Sequence, residues 1–186
     1  MQALLNISRT ISRWLVWIGG ALIILSALMV TLEVFLRKFF NISIGGADEL
    51  SGYAFGIATS FGMAYTLFER AHIRVDALYN VFPLWLKMIA NVFGMLLLAG
   101  FVGLICYTSW GMVSDTLSHG SRSITPMRTP LSLPQIPWLA GWLFFLFSCV
   151  LVLICSLAAL FKGNIDQASR LIGTKTIYEQ IQDEAV

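Results

Sequence analysis

Four long apolar stretches dominate the chain, each separated from the next by a short polar, glycine-bearing or proline-bearing segment. The first, Trp14 to Leu32, runs 19 residues without a charge, enough at about 1.5 Å per residue to cross a hydrocarbon core of about 30 Å. It is longer than the apolar centre of a signal peptide, so it is expected to stay as a membrane span. Leu50 to Phe68, Leu84 to Thr108 and Ile136 to Phe161 are expected to be the second, third and fourth spans. Helical spacing continues through Trp110, Val113 and Leu117, so the third helix is predicted to project as far as Leu117 and to break at His119-Gly120. Pro126, Pro130, Pro134 and Pro137 then disfavour helix and predict an extended, ordered loop ahead of the fourth span.

The flanking segments mix large apolar residues with cations. In residues 1–13, Leu4, Ile7 and Ile11 recur at helical spacing beside Arg9 and Arg13, which fits an amphipathic segment on a membrane surface or a frayed basic terminus. Residues 34–47 surround Arg37 and Lys38 with phenylalanines and isoleucines and close on Gly45-Gly46, the pattern of a short arm lying in the lipid interface. Asp48 and Glu49 then stand where the second helix should start, where negative charge complements its dipole. Along that helix Gly52, Gly56, Ser60 and Ala64 recur every four residues, with Ala54, Ala58 and Gly62 in a second row. Small residues so spaced let helix backbones approach closely in lipid, against spans of this chain or of another. The polar run Glu69 to Asp76, with His72 and Arg74, forms the second turn: either a solvated turn with snorkelling cations or a contact to lipid headgroups or a partner. Asp76 could cap a short interfacial helix stopped by Pro83.

The expected fold is therefore an all-α integral membrane protein with four transmembrane helices plus short interfacial amphipathic arm helices. It divides into an N-terminal segment (1–13), a four-span domain (14–162) and a polar tail (163–186). Composition agrees: 58% of residues are hydrophobic and 12% charged, more apolar than the roughly 45–50% of soluble domains. A net charge of +2 without a basic stripe argues against nucleic acid. Placing both termini and the second loop on one side gives it eight basic residues against four, which predicts cytoplasmic termini and an outward proline-rich loop.

Candidate chemistry is sparse. No predicted span holds a histidine or a nucleophile–base cluster, and there is no phosphate-binding glycine loop, so neither enzyme activity nor a cofactor is expected. His72 and His119 fall on opposite sides of the membrane and could not ligate one haem. Cys106, Cys149 and Cys155 lie in apolar runs and suggest no disulfide or zinc site. Glu33 precedes Arg37 by one helical turn, which fits a structural ion pair or a coupling carboxylate in an autonomous, proton-coupled four-helix exporter. A scaffold subunit without a solute path is the other class, favoured by the small-residue helix.

The order of an apolar span, Arg37-Lys38-Phe39, Ala47-Asp-Glu-Leu50, a small-residue span, His72-Ile-Arg-Val-Asp76 and Pro130-Leu-Ser-Leu-Pro134 before the last span resembles the small membrane subunit of tripartite ATP-independent periplasmic (TRAP) transporters, the DctQ-like family. The resemblance implies a bacterial inner-membrane complex in which a periplasmic solute-binding protein captures an organic anion or similar solute. A large multi-span permease subunit, which holds the substrate and sodium sites, then moves it inward. The small subunit would brace that partner among membrane lipids. Gly52, Gly56, Ser60 and Ala64 are the candidate packing row, and Arg37, Lys38, Glu49, His72, Arg74 and Asp76 the candidate contacts to lipid or partner. Arg122 and Arg128 in the outer loop are candidates for touching the binding protein.

Overall fold

A computed structural model describes residues 2–43, 45–70 and 83–161. Four helices account for most of them: α1 (Gln2–Phe40), α2 (Ala47–Phe68), α3 (Leu84–His119) and α4 (Ser132–Phe161). α3 stops at Gly120, whose left-handed backbone (φ 58°) caps it with its N–H on the Thr116 carbonyl. α1 ends likewise at Asn41, which takes φ 53°. In both cases a residue that tolerates the left-handed region stops an otherwise uninterrupted helical run.

The helices pack as an open row in the order α1, α2, α4, α3. α2 and α4 form its middle, and the two end helices make no comparable contact with each other. Three close approaches set the register. Gly19 on α1 meets the Ala58 backbone on α2, Gly141 on α4 meets Ser60 and Phe61 on α2, and Gly103 on α3 faces Leu146 on α4. Counting outward from these contacts brings the start of α4 level with about Ser51 of α2 and about Leu117 of α3. The last ten or so residues of α1 run past the start of α2, by roughly 15 Å.

Inside and outside are distinguished by size. Phe145, Val102 and Cys149 centre a core that α2 enters through Ala64, Leu67 and Phe68. Ser8, Ser12, Ser60, Ser148 and Ser156 are almost fully buried. Trp14, Trp17, Phe93, Phe101, Trp110 and Phe147 are exposed. A water-soluble protein would reverse this arrangement, whereas in lipid small residues gain close packing and large apolar ones lose nothing by facing outward.

Several expectations change. Residues 1–13 and most of the 34–47 arm are not separate amphipathic helices: both are continuous with the first span in one 39-residue helix. No residue between them breaks helical hydrogen bonding. The N-terminal stripe of Leu4, Ile7 and Ile11 faces outward, and Ser8 and Ser12 on the other side of the turn are buried. Three helices, α1, α3 and α4, are long and apolar enough to cross a membrane. α2 has the length, 22 residues or about 33 Å, but its glycines, alanines and hydroxyl residues make it less apolar. α4 begins at Ser132, ahead of the expected Ile136, so Pro134 lies within it and not in the loop. First-turn N–H groups have no helical partner, which makes Pro134 inexpensive there.

Candidate functional site

The loop between α3 and α4 is ordered as a small hairpin. Arg122 pairs with Pro130 across it, flanked by the Ser123 N–H on the Thr129 carbonyl at 2.9 Å and the Leu131 N–H on the Ser121 carbonyl at 3.1 Å. The Arg128 N–H reaches the Thr125 carbonyl at 3.0 Å and closes a turn with Pro126 in its second position, where a fixed φ favours turning. Strand alternation then sorts the side chains. Ser121, Ser123, Thr125, Thr129 and Leu131 lie half-buried on one face, while Arg122, Ile124, Arg128 and Pro130 are exposed on the other.

The half-buried face lies on the start of α2. Thr125 donates its hydroxyl to the Glu49 carboxylate, and Tyr53, one turn further along α2, donates to the same carboxylate at 2.7 Å. The Ser123 hydroxyl lies 2.7 Å from that of Thr125 and accepts the Thr125 N–H at 3.2 Å. The bond from Thr125, then that from Tyr53, hold the Glu49 carboxyl below the usual carboxylate range, with Ser123 and Thr129 acting in the same direction against partial desolvation. Met127 at the tip covers Gly46, where any Cβ would collide with its side chain. Hydroxyls and a thioether thus fasten the hairpin across the ends of α2 and α4.

The small-residue row of α2 divides along its length. Ser60 and Ala64 are buried: Ser60 lies against Gly141, and Ala64 joins the core shared with α3 and α4. Gly56 looks toward Trp138 at a distance that would still admit a methyl, whereas Gly52 faces open space. Ala58, in the second row, receives Gly19 of α1.

Arg37 and Lys38 are exposed on the projecting end of α1, beside a cluster in which Phe35 lies 4.6 Å from Phe39 and 6.5 Å from Phe40 between ring centroids. Glu33 accepts a hydrogen bond from the Ser43 hydroxyl at 2.6 Å as the chain folds back along α1. His72, Arg74 and Asp76 lie outside the described residues, as does the tail from residue 162. Among the described residues no charged side chain is buried, and no cluster of histidine, cysteine or carboxylates could hold a metal.

Reading the sequence missed Thr125, Ser123, Tyr53, Met127 and Gly141. The first two carried a signal: Ser121, Ser123 and Thr125 alternate with Arg122 and Ile124, the period of a strand with one polar face. Gly141 had none, because a single glycine in a span does not reveal which neighbour approaches it.

One protein-family model, described as the DctQ component of tripartite ATP-independent periplasmic transporters, matches residues 26–163. No curated protein and no solved structure matches the chain.

Proposed function

Since the chain belongs to the DctQ-component family of tripartite ATP-independent periplasmic transporters, and is thus the small permease subunit of such a transporter, we propose that it braces the large permease subunit and forms no solute path itself. The family is one of transporter components, not of enzymes. The observation that carries the bracing role is the absence of any buried charge among the described residues. An ion-coupled carrier needs ionisable or ligating groups at depth, and such groups are expensive enough in lipid to be recognisable where they occur.

In this reading the large subunit moves an organic acid or similar solute inward on a sodium gradient, after delivery by a periplasmic binding protein. The open row supports it, because a row has free flanks where a closed bundle would cover its own. Gly52 offers a site for close approach by a helix of the large subunit, since nothing within this chain fills the space before it. Gly56, Ser60 and Ala64 extend the same row inward, where the chain already uses the last two itself. The exposed phenylalanines, Arg37 and Lys38 at the end of α1 suit an anchor to lipid or to the partner, as proposed also for His72, Arg74 and Asp76, whereas both oxygens of the Glu49 carboxylate are taken by Thr125 and Tyr53 of this chain. The hairpin and the start of α2 face the periplasm in a bacterial inner membrane, and both termini the cytoplasm.

The test is co-purification in mild detergent of a co-expressed large subunit. Gly52→Leu should reduce its recovery, while Gly111→Leu, at another open position, should not. Undiminished recovery with Gly52→Leu would remove that contact, and a wild-type chain purifying without the large subunit would defeat the brace itself.

A further inference from the structure

We infer that the bilayer meets this row of helices obliquely: the helix axes lean by about 30–40° along the row, so that the projecting end of α1 and the α3–α4 hairpin rest on one lipid surface. Along the helix axes the two stand at different heights. Counted from the close approaches at Gly19, Gly141 and Gly103, Leu117 of α3 is level with about Ser51 of α2, and Arg37 of α1 lies about 11 residues, or roughly 16 Å, beyond that level.

The far end of the row is offset in the same sense. Arg13 bounds the apolar run of α1 and Lys87 that of α3, and the same count puts Lys87 about 17 residues, roughly 25 Å, further along than Arg13. The two middle helices fall between. α2 gives way to Glu69-Arg70 about six residues past the level of Arg13, and α4 stays apolar to Phe161, about level with Lys87. The polar boundary therefore steps in one direction through α1, α2, α4 and α3, which is their order in space. Three helix spacings of about 8–10 Å separate α1 from α3, so offsets of roughly 16–25 Å give the stated lean.

An upright row has no equivalent placement. With the hairpin at the lipid surface, the exposed rings of Phe35, Phe39 and Phe40 would stand in water. With those rings in lipid, Arg122, Arg128 and Glu49 would sink into hydrocarbon, where charge is expensive. Leaning costs little by comparison, and it brings the aromatic and cationic end of α1 to the interfacial depth that such residues favour. The inference requires only that the chain crosses a membrane, so it stands or falls apart from the brace.

The experiment measures depth in the full-length chain, reconstituted in phosphatidylethanolamine–phosphatidylglycerol vesicles. Leu25→Cys, Leu117→Cys and Phe35→Cys, all at exposed positions, each carry a nitroxide label, and depth is read from accessibility to oxygen against that to a water-soluble nickel chelate. Native Cys106, Cys149 and Cys155 are buried, so the wild-type chain gives the background labelling. Leu25 and Leu117 share one height along the helix axes, yet the label at Leu25 should lie deeper by about 15 Å. The label at Phe35 should lie within about 5 Å of the depth at Leu117, despite its greater axial height. Equal depth for Leu25 and Leu117, with Phe35 in water, overturns the inference. Should any of these variants expose the native cysteines, Leu28→Cys, His119→Cys and Phe39→Cys, also at exposed positions, repeat the comparison with the same two outcomes.

Discussion

At Gly141 the backbone of α4 lies against the Ser60 and Phe61 side chains of α2, so a single methyl group placed there measures how much the row depends on that approach. The Cβ of Gly141→Ala would fall 2.8 Å from the Ser60 Cβ and 3.0 Å from the Phe61 Cδ1, where carbon atoms normally rest about 3.5–4.0 Å apart. Neither Ser60 Cβ nor the Phe61 ring edge is the free end of a flexible chain, so the helices must part by roughly 1 Å. Overpacking of this size costs about 1–3 kcal/mol, and replacing glycine within a helix returns about 0.5–1 kcal/mol. A net loss of about 1–2 kcal/mol corresponds to a midpoint lowered by roughly 2–8 °C for a chain of this size. Cys106, Cys149 and Cys155, all free and buried, provide the readout: a thiol-reactive dye follows their exposure during heating in detergent. Ser60→Gly combined with Gly141→Ala should recover most of the loss, because the serine side chain is the principal obstacle. Gly111→Ala, where the added carbon meets nothing, is the control. A Gly141→Ala midpoint equal to that control, or a double variant no better than the single, would refute close α2–α4 packing.

Glu49 makes the hairpin attachment pH-dependent. Its carboxyl is held below the ordinary range by hydroxyl donors, so its contribution is present above the unfolded value and disappears as pH falls through the folded one. The protection of the Ser123 and Leu131 amides, measured against intrinsic exchange at the same pH, should fall in acid for the wild type and be low at neutral pH for Glu49→Gln; undiminished protection in Glu49→Gln at pH 7 would show that other contacts suffice. Glu33→Gln should leave solute uptake by the whole transporter within about twofold, since Ser43 bonds this carboxylate on the projecting end of α1 and surface changes away from such sites are usually small. Loss of uptake would revive the coupling role and the autonomous exporter. Reconstituted alone, the chain should give no solute flux, and flux above empty vesicles would contradict a supporting subunit.

Much of this protein follows from residue order alone. The helical class, the helix break at Gly120, the acidic start of α2 and the resemblance that the family match bears out all depend on local pattern or motif order, which no tertiary contact alters. Which side of each helix faces its neighbours is another matter. In water, apolar periodicity points inward; in lipid both sides of a span are apolar, so the only clue is size, and α2 carries two rows of small residues. Only the packed structure gives Ala58 to α1 and Ser60 and Ala64 to α4, leaving Gly52 open. Bringing Thr125 to Glu49, 76 positions apart in the chain, likewise requires α2 and α4 to run parallel with their starts level. That arrangement is set by the summed contacts of whole helices, a quantity that no short segment of sequence contains.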